Sequence, residues 1–266
     1  MSRTRIKVCG ITREEDLHAA VAAGVDAVGF VFYPKSPRLV SAARARQLID
    51  LLPPFVTAVG LFVNEEAATV QRIAVEAGLQ LLQFHGDETP AYCGQFGAAV
   101  GSPPVGIAFG TPHGTPHGTH TPSGTPLGAQ LDAQFALPYI KAARMTPQLD
   151  LLKFRNQFIG ARGVLLDAFV EGYGGGGEVF DWSLIPQQAA GPDARFVVSG
   201  GLRPSNVGGA IKALRPYGVD VSSGVEAAKG IKDAALLRQF VSAVRDADAQ
   251  LELNEAQTAR AQDEPA

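Results

Sequence analysis

The sequence predicts an α/β protein folded as a single (β/α)8 barrel, and three observations carry that prediction. Strand-like and helix-like segments alternate along the chain, and eight such units can be counted. The connections within and between units are short, as consecutive βα units require. The strand segments are continuous apolar runs rich in β-branched residues, the pattern of parallel strands buried on both faces. A two-domain α/β protein would need a linker between halves, and the only linker-like stretch lies inside the series.

Residues 5–9 read as the first strand. Thr12, with Glu15 three residues on, has the spacing of a capping box for the first helix. Residues 26–32 are the second strand, followed by a loop punctuated by Pro34 and Pro37 and a helix over 41–51. The third unit is a strand over 55–63 and a helix over 64–77, and the fourth a strand over 79–84 and a helix from about Glu88. Residues 137–142 and 146–159 make the fifth unit, and 163–166 open the sixth. The seventh and eighth strands lie at Val197-Val198-Ser199-Gly200-Gly201-Leu202 and Val219-Asp220-Val221-Ser222-Ser223-Gly224, with helices over 204–214 and 233–245.

The barrel thus occupies residues 1–245, interrupted between the fourth helix and fifth strand by a low-complexity insertion over 101–128. That stretch is rich in Gly, Pro, Thr and Ser, a composition that buries too little apolar area to offset its ordering entropy. It is read as a flexible surface insertion. His113, His117 and His120 within it could bind a metal, but a solvated loop is the favoured reading, because no ordered scaffold fixes ligand geometry. Residues 246–266 form a polar tail, read as frayed helix or disorder.

Composition narrows the function. The chain has 266 residues, 46% hydrophobic and 18% charged, with a net charge of −3. This is an ordinary soluble globule with no general basis for binding nucleic acid or anionic membrane. No apolar run approaches the ~18 residues of a membrane span. Residues 1–5 lead straight into a strand, so no signal peptide is expected. Two cysteines, Cys9 and Cys93, make no disulfide framework, and a cytoplasmic location is expected.

Barrel enzymes work at the carboxyl ends of their strands, and few polar residues fall there. The last two strands each end in small residues that leave backbone N–H groups open, and a following helix start would add its positive end. Gly200, Gly201, Ser222, Ser223 and Gly224 are therefore expected to form a phosphate site between the seventh and eighth loops. Cys9 ends the first strand and shares a face with Lys7, a cation able to raise its thiolate fraction. The alternative for Cys9 is a buried structural thiol. Asp167 closes the apolar run of the sixth strand. A buried carboxylate costs too much to be decorative, so it is paired, capping or catalytic. The glycine-rich loop 172–177 comes soon after it and could close over a ligand. Arg38, in a proline-stiffened loop, suits a planar carboxylate through two parallel hydrogen bonds, or else is a solvated surface charge. His85 shares a face with Gln83 and either lines the pocket or is a satisfied core histidine, the second being favoured. Cys93 is given no role.

These residues fall in motifs that resemble the phosphoribosylanthranilate isomerase family of tryptophan biosynthesis. The resemblance runs through Lys7-Val8-Cys9-Gly10-Ile11-Thr12, Gly29-Phe30-Val31-Phe32 with Ser36-Pro37-Arg38, Gly60-Leu61-Phe62-Val63-Asn64 and Gln83-Phe84-His85-Gly86. It continues through Leu165-Leu166-Asp167-Ala168, Phe180-Asp181-Trp182, Ser199-Gly200-Gly201-Leu202 with Pro204 and Asn206-Val207, and residues 219–226 with Gly230. The chain departs from the family in carrying only glycines at Gly174-Gly175-Gly176-Gly177, where a Thr is common, and in its long insertion.

The resemblance implies an Amadori rearrangement of N-(5-phosphoribosyl)anthranilate to 1-(2-carboxyphenylamino)-1-deoxyribulose 5-phosphate. Cys9 would be the base, Asp167 the acid, and Arg38 the holder of the anthranilate carboxylate. It further implies no metal and no cofactor, and a small phosphoribosyl substrate as partner; a monomer is expected, with a homodimer as the alternative. Two rival readings stand beside it. A related histidine-pathway phosphoribosyl isomerase typically has aspartate in place of Cys9. A noncatalytic phosphosugar-binding barrel would be expected to lose Cys9 or Asp167.

Overall fold

A computed structural model describes residues 3–97, 136–168, 185 and 195–263. The insertion over 101–128 with its three histidines, the glycine-rich loop 172–177 and the Phe180-Asp181-Trp182 motif lie outside the described residues. The strands are β1 (Arg5–Cys9), β2 (Ala27–Val31), β3 (Thr57–Phe62), β4 (Leu81–Phe84), β5 (Tyr139–Met145), β6 (Gly163–Ala168), β7 (Phe196–Val198) and β8 (Gly218–Val221). They pair in chain order, all parallel, and β8 closes on β1. The predicted barrel is what the chain forms.

Alternation along each strand sorts side chains into two cores. Val164 and Leu166 of β6 join the large outer core between strands and helices. Leu165 joins Ile140 and Ala142, with Leu81 and Val197, in a small apolar plug inside the barrel. By the same alternation Asp167 points inward above Leu165, and Gln83 above Leu81. Polar side chains thus stack on the plug toward the carboxyl ends of the strands.

The helices are α1 (Glu14–Ala23), α2 (Ala42–Ile49), α3 (Ala67–Ala77), α4 (Pro90–Gly94), α5 (Leu151–Gln157), α6 (Val207–Leu214) and α7 (Ala234–Asp263). Ser41, Thr89 and Asp150 cap α2, α4 and α5 by accepting from the N–H three residues on. The capping box expected at Thr12 is not made. Residue Arg13 occupies the N-cap of α1 without a side-chain bond, and the Thr12 hydroxyl donates instead to the Gly230 carbonyl at 2.9 Å. A tertiary acceptor, invisible to local spacing, has claimed it. Gly230 belongs to a small hairpin of β9 (Glu226–Ala228) and β10 (Ile231–Lys232) placed after β8 in the chain.

The last helix also differs from expectation. It runs through residue 245, where the polar tail was expected to begin, and continues to Asp263. Ala247 and Leu251 extend its buried stripe, which local composition disguised among Glu, Gln and Asp. Asp248, one of those polar residues, accepts from the Thr4 backbone N–H at 3.0 Å and from its hydroxyl at 2.6 Å.

Candidate active site

Lys7 and Cys9 point into the barrel from β1. Lys7 is in register with Asp220 on β8, and its Nζ lies 2.9 Å from Oδ1, both side chains buried. Gly29 on β2 makes room beside them, since a Cβ there would stand 2.8 Å from the Cys9 Sγ and 3.2 Å from the Lys7 Cε. Burial pushes the Cys9 thiol up, Lys7 and Lys232 pull it down, and Asp220 pushes it up again; the net direction is up. Burial alone would lower Lys7, but Asp220 and Cys9 outweigh it, so its ammonium is held above the ordinary value. The thiol is therefore pushed up mainly by its dry setting, with two cations, Lys7 and Lys232, working against that.

Facing this pair from the other side of the mouth is a line of three side chains. Gln83, fully buried on β4, has its Nε2 2.9 Å from the His85 Nδ1. The His85 Nε2 stands 2.9 Å from Oδ2 of Asp167. The other carboxylate oxygen, Oδ1, accepts from the Ala168 N–H at 3.1 Å. His85 was expected more as a satisfied core residue than as part of the site. It is buried and bonded at both ring nitrogens, and one of those bonds goes to Asp167.

Arg38 lies across the end of β1, where Gly10 at φ 82° lets it pass; a Cβ on Gly10 would come within 2.4 Å of the Arg38 Cδ. Its Nε and Nη2 donate side-on to the two oxygens of Glu226, each at 2.7 Å. Lys232 holds the same carboxylate at 2.9 Å. Burial would raise Glu226, but Arg38 and Lys232 hold its carboxyl below the usual range. The bidentate grip expected of Arg38 exists, but its partner is internal. The guanidinium keeps its Nη1 end for a second acceptor.

Between the β7 and β8 loops lies a cavity of about 270 Å³ lined by Gly201, Leu202, Arg203, Ser223 and Gly224. The loops touch: a Cβ on Gly224 would fall 1.8 Å from the Leu202 carbonyl oxygen. Gly201, Ser223 and Gly224 thus line the cup expected for phosphate. Gly200 and Ser222 lie outside that lining and make contacts of their own. A Cβ on Gly200 would stand 2.5 Å from the Ala168 nitrogen and 3.0 Å from Asp167 Oδ1, so this glycine makes space for the Asp167 carboxylate. The Ser222 hydroxyl donates to the Cys9 carbonyl at 3.0 Å, tying β8 to the end of β1. Beyond β8 the chain makes a three-residue 3-10 turn, Ser223–Val225, rather than a full helix. A larger cavity, about 420 Å³, lies near Gly163, Val164 and Arg195 at the amino ends of β6 and β7, away from this chemistry.

Sequence reasoning passed over Asp220, Glu226, Lys232 and Arg203. Asp220 had a visible signal, an acid in the middle of the apolar run Val219-Asp220-Val221. Glu226 and Lys232 had none, because their pairing depends on how the hairpin folds back over Arg38.

The family model for N-(5'-phosphoribosyl)anthranilate (PRA) isomerase matches residues 6–108 and 127–243. The chain belongs to that family. A curated N-(5'-phosphoribosyl)anthranilate isomerase of Dechloromonas aromatica is 52% identical over 247 residues, covering 92% of this chain and 98% of that one. Among solved structures, the phosphoribosyl anthranilate isomerase of Thermotoga maritima is 36% identical with a TM-score of 0.69, covering 91% of this chain and 99% of that one. Another phosphoribosyl anthranilate isomerase, 34% identical with a TM-score of 0.67 over the same shares, was solved with reduced 1-(o-carboxyphenylamino)-1-deoxyribulose 5-phosphate. The activity is the one the motifs implied: an aldose–ketose isomerisation of N-(5-phosphoribosyl)anthranilate in L-tryptophan biosynthesis. Among the described residues, no helix is long and apolar enough to cross a membrane.

Proposed function

We propose that Asp167 and Cys9 divide the proton transfers of this isomerisation, with Asp167 as acid and Cys9 as base. Asp167 gives its proton to the ribose ring oxygen. The bond from that oxygen to C1 breaks, its electron pair going to oxygen, while the nitrogen lone pair forms the C1=N bond of a Schiff base. The Cys9 thiolate then removes the proton from C2, and the electrons left behind form C1=C2 as nitrogen recovers its pair. The enolamine shifts a proton from the C2 hydroxyl to C1 and becomes the aminoketose. C2 is oxidised as C1 is reduced, so the substrate balances its own electrons.

The observation that carries this reading is the pairing of two polar groups at one mouth, Lys7 beside Cys9 and His85 on Asp167. The cup at Gly201, Ser223 and Gly224 fits the substrate phosphate, and the Nη1 end of Arg38 fits its carboxylate. Positioning of an anchored sugar between acid and base then supplies much of the rate. We further propose a cytoplasmic monomer acting on a small phosphoribosyl substrate, with no cofactor, no nucleic acid and no membrane. A homodimer is the second reading, because a T. maritima relative is described as dimeric.

The test is loss of fluorescence of phosphoribosylanthranilate generated in situ, with and without the purified full chain. Catalysed loss is expected. Binding of a sugar phosphate without such loss would mean a noncatalytic barrel.

A further inference from the structure

Among the described residues, Oε1 of Gln83 is the buried side-chain polar atom with no hydrogen-bond partner. It sits at the inner end of the line Gln83–His85–Asp167, in which each bond fixes the direction of the next. When Gln83 Nε2 donates, Nδ1 of His85 is a bare acceptor, the ring proton sits on Nε2, and Asp167 Oδ2 accepts it. That arrangement suits a carboxylate, the form Asp167 has after giving its proton away.

Adding one proton to the line reverses it. If the proton is on Asp167, its O–H donates to Nε2 and the neutral ring must carry its own proton on Nδ1. If the proton is on the ring, the imidazolium carries both. In either case an N–H at Nδ1 faces the amide of Gln83, and donor meets donor unless Oε1 is presented instead. A half-turn of the amide does this with almost no change of shape. Because Oε1 holds no second bond, the turn gives up only the bond to His85 and forms it again in the opposite sense.

The charged groups around the line have partners of their own. Lys141 on β5 holds Glu88, whose carboxylate is 3.2 Å away. Arg144, the register partner of Asp167, holds Asp87. On β1 and β8 Lys7 holds Asp220, near Cys9. The amide of Gln83 is the neutral partner that can either donate or accept.

We propose that Gln83 is a positioning residue which keeps the catalytic acid loaded, by turning its amide to accept from Nδ1–H of His85 so that the His85–Asp167 pair retains one donatable proton between turnovers. This rests on the reading of Asp167 as the acid. His85 is likewise a positioning residue, since it acts through Asp167.

The test reads the ring nitrogens. With 15N-labelled histidine in the full chain, and the His85 signals assigned by their loss in His85→Asn, Nδ1 should be protonated in the ligand-free enzyme at the pH of the assay. Gln83→Glu in its ionised form offers only acceptors, so it should keep Nδ1 protonated and keep kcat within about tenfold of wild type. Gln83→Met fills the same space without either function, and should lose the Nδ1 proton and about 10–100-fold in kcat with little change in KM, inside the ~10²–10⁴ a general acid contributes. A bare Nδ1 in active wild-type enzyme overturns the proposal, and so does wild-type kcat in Gln83→Met. The wild-type spectrum decides even where a variant fails to fold. A chain that isomerises nothing would sink the acid–base reading instead, and the nitrogen signals tell the two failures apart.

Discussion

Lys7 and Asp220 face each other from β1 and β8, ammonium 2.9 Å from carboxylate, one layer below the thiol of Cys9. The pair is a cation brought to the Cys9 thiol and a counter-charge that limits its effect. Burial pushes the thiol up, and Lys7 is the first of the groups that pull it back.

Lys7→Met removes that pull, so the Cys9 thiol should rise further and the acidic limb of the kcat/KM profile should move to higher pH. An opposite charge at such range is worth about 1–3 pH units, so activity at neutral pH should fall on the order of 10–1000-fold. The single change also strands Asp220 as a buried charge, costing about 3–5 kcal/mol. Lys7→Met with Asp220→Leu should recover the melting temperature and only part of the activity, because the push of Asp220 on the thiol goes with it. An unmoved acidic limb in the single variant Lys7→Met would remove Lys7 from any part in activating Cys9.

Lys7 also sets an alkaline limit on stability. Its value is raised in the folded chain, so its stabilisation is complete below the unfolded value of about 10.4 and is lost as pH climbs through the raised one. Thermal melts of wild type should fall in strongly alkaline buffer, and the Lys7–Asp220 double variant should show a flatter curve.

Cys9→Ser and Asp167→Asn should both fold and both lose most turnover, by the ~10²–10⁴ expected of a general base or acid. An alcohol is too weak a base at neutral pH, and an amide has no proton acidic enough to give the ring oxygen. Both variants should still bind a reduced product analogue. Near-native turnover in either would remove that residue from its role.

Arg38 and Glu226 should separate in kinetics. Arg38→Ala deletes a charge-assisted contact worth about 1.5–3 kcal/mol, so KM should rise roughly 10–100-fold with a smaller change in kcat. Glu226→Gln keeps Arg38 but loosens the two 2.7 Å bonds that aim it, and should raise KM less. Affinity for ribose 5-phosphate, which lacks the aromatic carboxylate, should stay the same in both. Equal loss for the bare sugar phosphate would mean that Arg38 does not read the carboxylate.

Gly224→Ala should open the anion cup, because the new Cβ would meet the Leu202 carbonyl oxygen at 1.8 Å and force the two loops apart. Inhibition by inorganic phosphate and KM for substrate should both weaken, by about 10–100-fold if charge-assisted bonds are lost. Inhibition constants and a melt of the variant check this; unchanged phosphate inhibition would place the anion elsewhere.

Legible and illegible features of the chain divide along physical lines. Cys9 and Asp167 were legible because a polar residue ending an apolar run is conspicuous, and a barrel gives that position meaning. Thr12 misled because its spacing to Glu15 is local, while its acceptor, the Gly230 carbonyl, is 218 residues away. Arg38 was half legible: its fork was foreseen and its partner Glu226, 188 residues on, was not. Ser222 looked like its neighbour Ser223, and only backbone geometry sends the Ser222 hydroxyl to Cys9 and sets Ser223 in the lining of the cavity. The reach of α7 escaped because Ala247 and Leu251 are isolated apolar residues in a polar stretch, informative only against the core they meet.

The clasp at Thr4 carries a consequence in time. β1 pairs with β8, whose Asp220 lies 213 residues beyond Lys7, and Thr4 is held by Asp248 from further still. At a synthesis rate of roughly 5–20 residues per second, the strand bearing Cys9 leaves the ribosome more than about ten seconds before its second neighbour exists. One edge of β1 stays open for that whole interval. The strand made first is the last to be secured, and a chain halted within α7 would carry every residue of the chemistry on a ring not yet fastened.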